Sequence, residues 1–226
     1  MPGILLIRHA QASYGEADYD VLSATGRRQA AVLAEDLLRR GLVPVRIASG
    51  SLRRQHDTAA ALAATTGVPI ETDAGWDEYD SADVLAAHGH TDARLERSAD
   101  GAEPALSSRE FQVLMDEALR DWVLATDARA VEPWPAFAAR VGGALERLTA
   151  GLGAGEIAMA CTSGGVIAAL CVALLDLAPE ALVAFNRVSV NTAVTRLARG
   201  RQGTSLVSFN EFGHLDGLDP ALRTSR

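Results

Sequence analysis

The sequence predicts an α/β protein, a three-layer sandwich in which helices cover both faces of a mostly parallel central sheet. Short apolar runs alternate with long stretches of helical periodicity, a pattern typical of β-α units around a parallel sheet. The chain has 226 residues, 48% of them hydrophobic, which is enough to bury one sizeable core or two small ones. We therefore expect a single domain over residues 1–226, with one insertion.

The first part of the chain predicts three strands separated by two helices. Apolar runs place the strands at residues 4–7, 45–48 and 69–72. Helical periodicity places the helices at residues 23–40 and 51–66. A glycine follows each helix, at Gly41 and Gly67, and Ser51 is the predicted N-cap of the second helix. This alternation ends in a turn-rich stretch at residues 73–80.

The second part begins with helices alone and then returns to the alternating pattern. Helical patterns at residues 107–125 and 134–152, with no strand pattern between them, predict a helical insertion over about residues 81–151. Beyond it, apolar runs predict strands at residues 156–161, 193–198 and 205–209, and a helix at residues 166–177. The sheet is therefore expected to be completed by the last third of the chain.

Composition argues against several classes of partner. The net charge of −8 and the pI of about 5.1 leave no basic field for a nucleic-acid backbone or an anionic membrane surface. Cys161 and Cys171 are the only cysteines, too few for a disulfide framework, which favours a reducing cytoplasm. The apolar run before Arg8 is too short for a signal peptide or a membrane-spanning helix. We therefore expect a soluble cytoplasmic protein that binds neither nucleic acid nor membrane.

Polar residues gather where the predicted strands end. They are Arg8 and His9, residues 49–54, residues 76–80 and residues 162–165. Ligands of open α/β sheets bind beyond the carboxyl ends of the strands, so these segments are expected to lie together. The planar guanidinium group of arginine can donate two parallel hydrogen bonds to phosphate oxygens. Helix N-termini add backbone N–H donors and a dipole that favours an anion. The sequence therefore predicts a pocket for a phosphate group.

Each of these features also has a purely structural interpretation. An Arg-His pair after a strand is often a solvated strand end, and Glu78 alone would be a loop carboxylate. Arg53 and Arg54 near a helix N-terminus oppose the helix dipole, which indicates an anion close by. His88 and His90 form an H-x-H pair without a further ligand at a suitable spacing, so we predict loop histidines and no metal site.

Six blocks of the chain resemble, in order, the motifs of one protein family. IRHAQAS resembles a strand-terminal RHG motif, LSATGRRQA a helix start of the form L-T/S-x-x-G-x-x-Q-A, and SGSLRRQHDTA the motif S-S-P-L-x-R-A-x-Q-T-A. WDEYD is similar to an L-x-E segment, CTSGGVIAAL to V-S-H-G-G-V-I-R, and SFNEFGHLD to a common C-terminal sequence. On these motifs the chain resembles the histidine phosphatase (phosphoglycerate mutase-like) superfamily over nearly its whole length.

The resemblance implies a phosphomonoester hydrolase of the histidine acid phosphatase type. His9 would be the nucleophile that takes the phosphoryl group, Arg8 and Arg54 would hold its oxygens, and Glu78 would donate a proton to the leaving group. The reaction would need neither a metal ion nor another cofactor. The substrate would be a small phosphorylated molecule, with the helical insertion near the active site, and the oligomeric state is left open.

The chain departs from the family motifs near His9. Ala10 replaces the glycine after that histidine, and Ala12 and Gly15 stand where the family has threonine and asparagine. Two polar contacts to the phosphate are therefore missing. We expect Gln11 and Ser13 to replace them in part.

A second departure concerns the family's other histidine, whose place is taken by Ser163. A cationic partner of the transition state is thereby replaced by a neutral hydroxyl. We expect Ser163 and the helix start at Gly164 still to bind the phosphate, with slow turnover.

Three alternatives remain open at this point. A phosphoglycerate mutase-type phosphotransferase uses the same chemistry, and a weakly active or non-catalytic relative would bind phosphorylated ligands without turning them over. The third is a serine hydrolase, because CTSGG approximates a nucleophile elbow with Ser163, followed by Asp176 and His214 in a suitable chain order. This last reading leaves Arg8 and His9 unexplained.

Overall fold

The computed structural model describes residues 1–13, 20–90 and 108–225, in which a six-stranded sheet lies between two layers of helices. The strands are β1 (Gly3–Arg8), β2 (Arg46–Ser49), β3 (Ile70–Thr72), β4 (Ile157–Thr162), β5 (Val194–Gly200) and β6 (Gly203–Glu211). The helices are α1 (Ala24–Arg39), α2 (Arg53–Thr66), α3 (Ser81–Ala87), α4 (Ser108–Leu124), α5 (Trp134–Thr149), α6 (Gly164–Leu174) and α7 (Ala181–Val188). Short 3-10 helices cover Ala74–Trp76, Gly213–Leu215 and Pro220–Leu222.

The strands lie in the order β3-β2-β4-β1-β5-β6. The first four are parallel, whereas β5 and β6 run antiparallel to their neighbours. The predicted α/β fold with a mostly parallel sheet is therefore confirmed. In the register of β1 with β4, Arg8 lies opposite Thr162, so His9 and Ser163 both follow at the carboxyl edge of the sheet.

Alternate residues of β1 enter different hydrophobic cores. Ile4 and Leu6 belong to the larger core beneath α4, α5 and α6, and Leu5 and Ile7 belong to the core beneath α1 and α2. A shift of one residue would exchange these two faces, so burial on both sides fixes the register of the strand. The position of His9 just beyond β1 is fixed with it.

The predicted N-cap of the second helix, Ser51, is wrong by one residue. Helix α2 begins at Arg53 and has Leu52 as its N-cap, without a side-chain cap. The backbone N–H and the hydroxyl of Ser51 donate instead to the carboxylate of Asp77, each at 2.6 Å. The end of the helix is confirmed, because Gly67 follows it in the left-handed conformation with φ 74°.

Two further differences concern the helices after β4. Helix α6 begins at Gly164 and ends at Leu174, whereas the apolar pattern predicts residues 166–177. Helix α7 is not predicted from the sequence, because eight residues give little periodicity. This helix matters for the site, since it brings polar side chains to the edge of the sheet.

The segment predicted as a helical insertion contains α3, α4 and α5, and residues 91–107 within it lie outside the described part of the chain. Trp122 of α4 and Phe137 of α5 belong to the same core as Ile4 and Leu6. Helix α5 also packs against α6 and the 3-10 helix at Ala74–Trp76. It therefore forms part of the layer that covers the sheet, while the insertion itself stays a prediction.

Candidate active site

A cavity of about 300 Å³ opens at the carboxyl edge of β1. This volume lies within the range of small-molecule sites. Its walls are formed by Arg8, His9, Arg54, Glu78, Tyr79, Ser81, Phe111, Gln112, Met115, Asn186, Arg187 and Ser225. The structure therefore brings together the four residues for which the sequence predicts a catalytic role, from three separate segments of the chain.

His9 is held by hydrogen bonds on both sides of its backbone and is only 6% exposed. Its N–H donates to the Thr162 carbonyl at 2.8 Å, and its carbonyl accepts from the Asn191 amide at 2.9 Å. The ring Nδ1 lies 2.8 Å from the Ala10 carbonyl, which can only accept, so Nδ1 carries the proton. The other ring nitrogen, Nε2, keeps its lone pair and lies 3.3 Å from the Arg54 Nε.

The two arginines of the cavity that lie nearest His9, Arg8 and Arg54, are fixed by contacts away from the imidazole. Arg8 donates through Nη1 to the carbonyl of Ser189, just after α7. The side chain of Arg54 is 12% exposed, and its Nη1 donates to Asp20 at 2.6 Å. Both guanidinium groups are thus held in place beside the imidazole, where their charges are suited to an anion.

Asp20 is the anion that the basic residues at the start of α2 indicate. Its carboxylate accepts from the backbone N–H of Arg53 at 2.7 Å and from that of Arg54 at 3.5 Å. The aspartate therefore compensates the N-terminus of α2 and orients Arg54. The side chain of Arg53 is 61% exposed, lies 3.9 Å from Asp57 and is not part of the cavity wall.

Glu78 approaches the N-terminus of α6. Its Oε2 accepts from the backbone N–H of Gly165 at 3.0 Å, and its Oε1 accepts from the N–H of Tyr79 at 3.3 Å. A Cβ atom at Gly165 would lie 2.4 Å from Oε1, so this close approach requires glycine. Gly165, the second glycine after Ser163, thus makes room for a carboxyl group from another segment.

The environment shifts the pKa values of the two titratable groups in opposite directions. Burial lowers the pKa of His9 well below its usual value, and the charges of Arg8 and Arg54 lower it further. Burial raises the pKa of Glu78, although the Gly165 N–H and the arginines offset part of this effect. A neutral imidazole and a protonated carboxyl group can therefore coexist in the cavity, which is the pairing that a nucleophile and an acid require.

Ser163 and Gly164 do not form part of the cavity wall. Ser163 is 1% exposed, and its hydroxyl accepts from the side-chain amide of the buried Gln55 at 2.8 Å. A Cβ atom at Gly164 would lie 2.6 Å from the side-chain oxygen of Asn186, so the helix start is closely packed. Their contribution to phosphate binding stays a prediction.

Gln11 and Ser13 are also absent from the cavity wall. The Gln11 N–H donates to Gln29 and its side-chain oxygen accepts from Ser23, both at 2.8 Å. The Ser13 N–H donates to the Val21 carbonyl at 2.8 Å. Their roles at the phosphate stay predictions, and Gly15, which stands in place of a family asparagine, lies outside the described residues.

The serine-hydrolase triad is not assembled. The hydroxyl of Ser163 is bonded to Gln55, whereas His214 lies 3.0 Å from the hydroxyl of Thr192. Asp176 follows α6 in the left-handed conformation with φ 52°. None of the three predicted triad members lines the cavity, so this alternative is wrong.

Several residues of the site carry no clear sequence signal. Asn186 and Arg187 reach the cavity from α7, which does not follow a parallel strand, so the strand-end rule does not include them. The Asn186 amide donates to the Tyr79 hydroxyl at 3.3 Å. Asp20 could have been found, because the Arg-Arg pair at the start of a helix indicates an anion.

The H-x-H pair lies outside the cavity. His90 Nε2 is 2.7 Å from a carboxylate oxygen of Asp121, and His88 lies in the turn after α3. Within residues 1–13, 20–90 and 108–225, no group of three His, Cys, Asp or Glu side chains is placed to hold a metal ion. In the same ranges, no helix is long and apolar enough to cross a membrane.

The fold and the cavity define an α/β protein with a strand-end site suited to a phosphate group. The family model "Histidine phosphatase superfamily (branch 1)" matches residues 4–211. A glucosyl-3-phosphoglycerate phosphatase of Mycobacterium tuberculosis is 33% identical over 190 residues, which cover 77% of this chain and 75% of that protein. The chain belongs to the histidine phosphatase superfamily, as its motifs indicate.

Solved structures agree with this assignment. A mycobacterial glucosyl-3-phosphoglycerate phosphatase in complex with VO3 has a TM-score of 0.65 and 26% identity, covering 93% of this chain and 99% of that one. A phosphoserine phosphatase from Entamoeba histolytica, at 20% identity and a TM-score of 0.59, covers 95% of this chain and 100% of that one. At this lower identity the second structure shows the shared fold alone.

We expect inorganic phosphate and vanadate to stabilise the protein through Arg8 and Arg54. At a ligand concentration of 100 times Kd, binding to the native state adds about 2.7 kcal/mol, or roughly 5 to 10 °C in Tm for a chain of this size. Arg8→Gln and Arg54→Gln should each lose most of this shift, measured by thermal unfolding with and without ligand. Arg53→Gln is the matched control and should keep it. Unchanged shifts in both cavity variants would contradict the phosphate site.

Proposed function

We propose that this protein hydrolyses phosphate monoesters through a phosphohistidine formed on His9, without a metal ion. The observation that carries the proposal is the state of His9, whose unprotonated Nε2 lies beside Arg54 in a cavity that also contains Arg8 and Glu78. Phosphoryl transfer requires mainly an aligned nucleophile and cations for the phosphoryl oxygens, and this arrangement supplies both.

In the first step, Nε2 of His9 attacks phosphorus as the ester P–O bond breaks. The leaving oxygen takes its proton from the Glu78 carboxyl group, which becomes a carboxylate, and the alcohol departs. Arg8 and Arg54 bind the phosphoryl oxygens and stabilise the charge that develops on them. The raised pKa of Glu78 and the lowered pKa of His9 favour the protonation states with which this step begins.

In the second step, a water molecule attacks phosphorus on the opposite side from His9. Glu78, now a carboxylate, accepts a proton from that water, and the P–N bond breaks. Phosphate is released, and both His9 and Glu78 return to their starting protonation states. The same carboxyl group thus serves as acid and then as base.

The substrate class we propose is a small polar phosphate ester of the cytoplasm. Apart from the four proposed catalytic residues, the cavity wall presents the polar side chains of Ser81, Gln112, Asn186 and Arg187 beside Tyr79, Phe111 and Met115. Such a mixed wall suits a compact leaving group that carries hydroxyl or carboxylate groups and can also pack against aromatic rings. Glucosyl-3-phosphoglycerate, the compound named for the mycobacterial relatives, is therefore the first candidate.

The proposal is tested by measuring phosphate release from glucosyl-3-phosphoglycerate, 3-phosphoglycerate, phosphoserine and p-nitrophenyl phosphate in the presence of EDTA. We expect turnover of at least one ester, unaffected by the chelator and inhibited by vanadate. Tight phosphate binding without any turnover would instead support a binding protein. Formation of 2-phosphoglycerate from 3-phosphoglycerate without net phosphate release would support the phosphotransferase.

Ser163 variants in the same assay test the contribution of this buried position. Ser163→Ala should keep most of the activity, because the hydroxyl contacts Gln55 and does not line the cavity. Ser163→His should bring no gain, since the side-chain amide of Gln55 occupies the adjacent space. Loss of all activity in Ser163→Ala, with fluorophosphonate labelling of Ser163 in the wild type, would overturn the assignment of His9.

A further inference from the structure

The turn that carries Glu78 is bound by one guanidinium group from a distant helix. Nη1 of Arg140, in the second turn of α5, lies 3.0, 3.2 and 2.9 Å from the carbonyl oxygens of Ala74, Gly75 and Asp77, respectively. These carbonyls belong to three of the four residues directly before Glu78. One side chain therefore binds three carbonyl groups of the turn that leads into the proposed acid.

Arg140 is itself fixed in a defined geometry. Its Nε and Nη2 donate to the two carboxylate oxygens of Glu132, each at 2.7 Å, and its guanidinium carbon lies 5.0 Å from the centre of the Phe137 ring. The ion pair with Glu132 raises the pKa of Arg140, so the side chain is permanently cationic. The planar fork can thus bind a carboxylate on one side and carbonyl groups on the other, which an ammonium group cannot do in the same way.

The fourth carbonyl of this segment, that of Trp76, is bound by side chains of α2 and β4. It accepts from the side-chain amide of Gln55 at 3.0 Å and from the hydroxyl of Thr162 at 2.6 Å. All four carbonyls at residues 74–77 therefore accept hydrogen bonds from side chains of α2, β4 or α5. Together with the backbone hydrogen bonds of the 3-10 helix, these side-chain contacts give the turn a defined position.

We propose that Arg140 is a positioning residue that holds Glu78 in reach of the leaving-group oxygen; this inference rests on the proposed function. A general acid must lie within hydrogen-bond distance of the atom it protonates, so a small displacement of the turn lowers the rate of proton transfer. Without Arg140, three carbonyls lose a partner and Glu132 loses its cation. The turn then relaxes, and Glu78 moves with it.

The test compares first-turnover cleavage of an alkyl phosphate with that of p-nitrophenyl phosphate. Nitrophenolate is a stable leaving group and departs without a proton, whereas an alkyl leaving group must be protonated as it departs. A misplaced general acid therefore slows the alkyl ester more than the nitrophenyl ester. Arg140→Gln should slow the alkyl ester by about 10-fold or more and the nitrophenyl ester by less than about 3-fold, since a general acid contributes about 10²- to 10⁴-fold in total. Arg140→Lys should behave like Arg140→Gln, because lysine keeps the positive charge but lacks the planar guanidinium group that binds several acceptors at once.

A double-mutant cycle distinguishes positioning from a general loss of stability. In a Glu78→Gln background, Arg140→Gln should change the alkyl rate by less than about 2-fold, because the group through which it acts is already absent. The matched control is Arg147→Gln on the same helix, where Arg147 binds the side chain of Asp73 at 2.9 Å and none of the three carbonyls. This variant should keep the wild-type ratio of the two rates.

The outcomes separate this inference from the function on which it rests. If Glu78→Gln slows both esters equally, the acid role of Glu78 fails and the proposed function with it. Suppose instead that Glu78→Gln slows the alkyl ester selectively. The positioning role of Arg140 is then overturned if Arg140→Gln slows the alkyl and nitrophenyl esters equally. It is also overturned if Arg140→Gln slows the alkyl ester as much in the Glu78→Gln background as in the wild type. Thermal unfolding of each variant identifies any that do not fold. If Arg140→Gln is one of them, Glu132→Gln, which loosens Arg140 without removing it, replaces it in the test.

Discussion

Replacing His9 with alanine is expected to lower turnover of a phosphate monoester by about 10⁴-fold or more, on the scale seen when a catalytic nucleophile is removed. The reason is specific to this residue, because its Nε2 is the unprotonated ring nitrogen between the strand end and Arg54. Steady-state rates of wild type and variant measure the loss. Burial of the neutral ring lowers the pKa of His9, so its nucleophilic form persists into acidic solution.

The covalent intermediate gives an independent measurement. After rapid quenching in base, wild-type protein incubated with labelled phosphate ester should carry one acid-labile phosphoryl group on His9, which mass spectrometry can locate. His56→Ala is the matched control, since this exposed histidine lies two residues beyond Arg54 on α2 and should not affect label or rate. Label on another side chain, or an active His9→Ala variant, would contradict the mechanism.

The central part of this site could be predicted from sequence because its residues lie in the segments that follow strand ends. An apolar run that ends at Arg8 and His9 places both side chains at the carboxyl edge of a sheet, and the same rule includes Arg54 and Glu78. Because parallel strands end at the same edge of the sheet, residues 8–9, 54 and 78 come together although they lie far apart in the sequence. These four residues line one cavity in the structure.

The surroundings of the site depend on packing, which a single sequence does not reveal. Asn186 and Arg187 come from a helix too short to show periodicity, and its position follows from burial of Leu182 and Val183 in the main core. Gln11 is a second example of a position set by packing. It follows the strand end, yet its side chain turns toward Ser23 at the start of α1, because that serine offers a hydroxyl donor. Proximity in sequence to His9 therefore does not place a side chain in the cavity.

Ser163 illustrates how a substitution can be absorbed by its neighbours. The family's motifs imply a histidine here and a small alanine at the position of Gln55, whereas this chain has a small residue and a larger amide. The two side chains are hydrogen-bonded at 2.8 Å and both are fully buried. The sequence shows each departure separately, and only the fold shows that the two positions are in contact.

Replacing Glu78 with glutamine is expected to slow cleavage of alkyl phosphates by about 10² to 10³-fold in the first turnover, within the range that general acids contribute. Glutamine keeps the size of the side chain but has no proton of suitable acidity to transfer. With p-nitrophenyl phosphate the first turnover should change by less than about 10-fold, because nitrophenolate is a stable leaving group. Rapid-quench measurements of alcohol and nitrophenol release give the two rates before hydrolysis of the phosphohistidine becomes limiting.

The dependence of these rates on pH follows from the direction of the pKa shift. Burial raises the pKa of Glu78, so the acid form persists to higher pH than for a free glutamic acid, and the alkyl-phosphate rate is full below this pKa and falls as pH rises through it. Glu78→Gln should lack that alkaline limb, whereas Asp77→Asn should retain it, because the Asp77 carboxylate binds Ser51 and does not line the cavity. In the second step the carboxylate activates water, so Glu78→Gln should also accumulate the phosphohistidine with p-nitrophenyl phosphate, whose first step is little affected. An unchanged pH profile in Glu78→Gln, or equal losses on both esters in the first turnover, would show that another group supplies the proton.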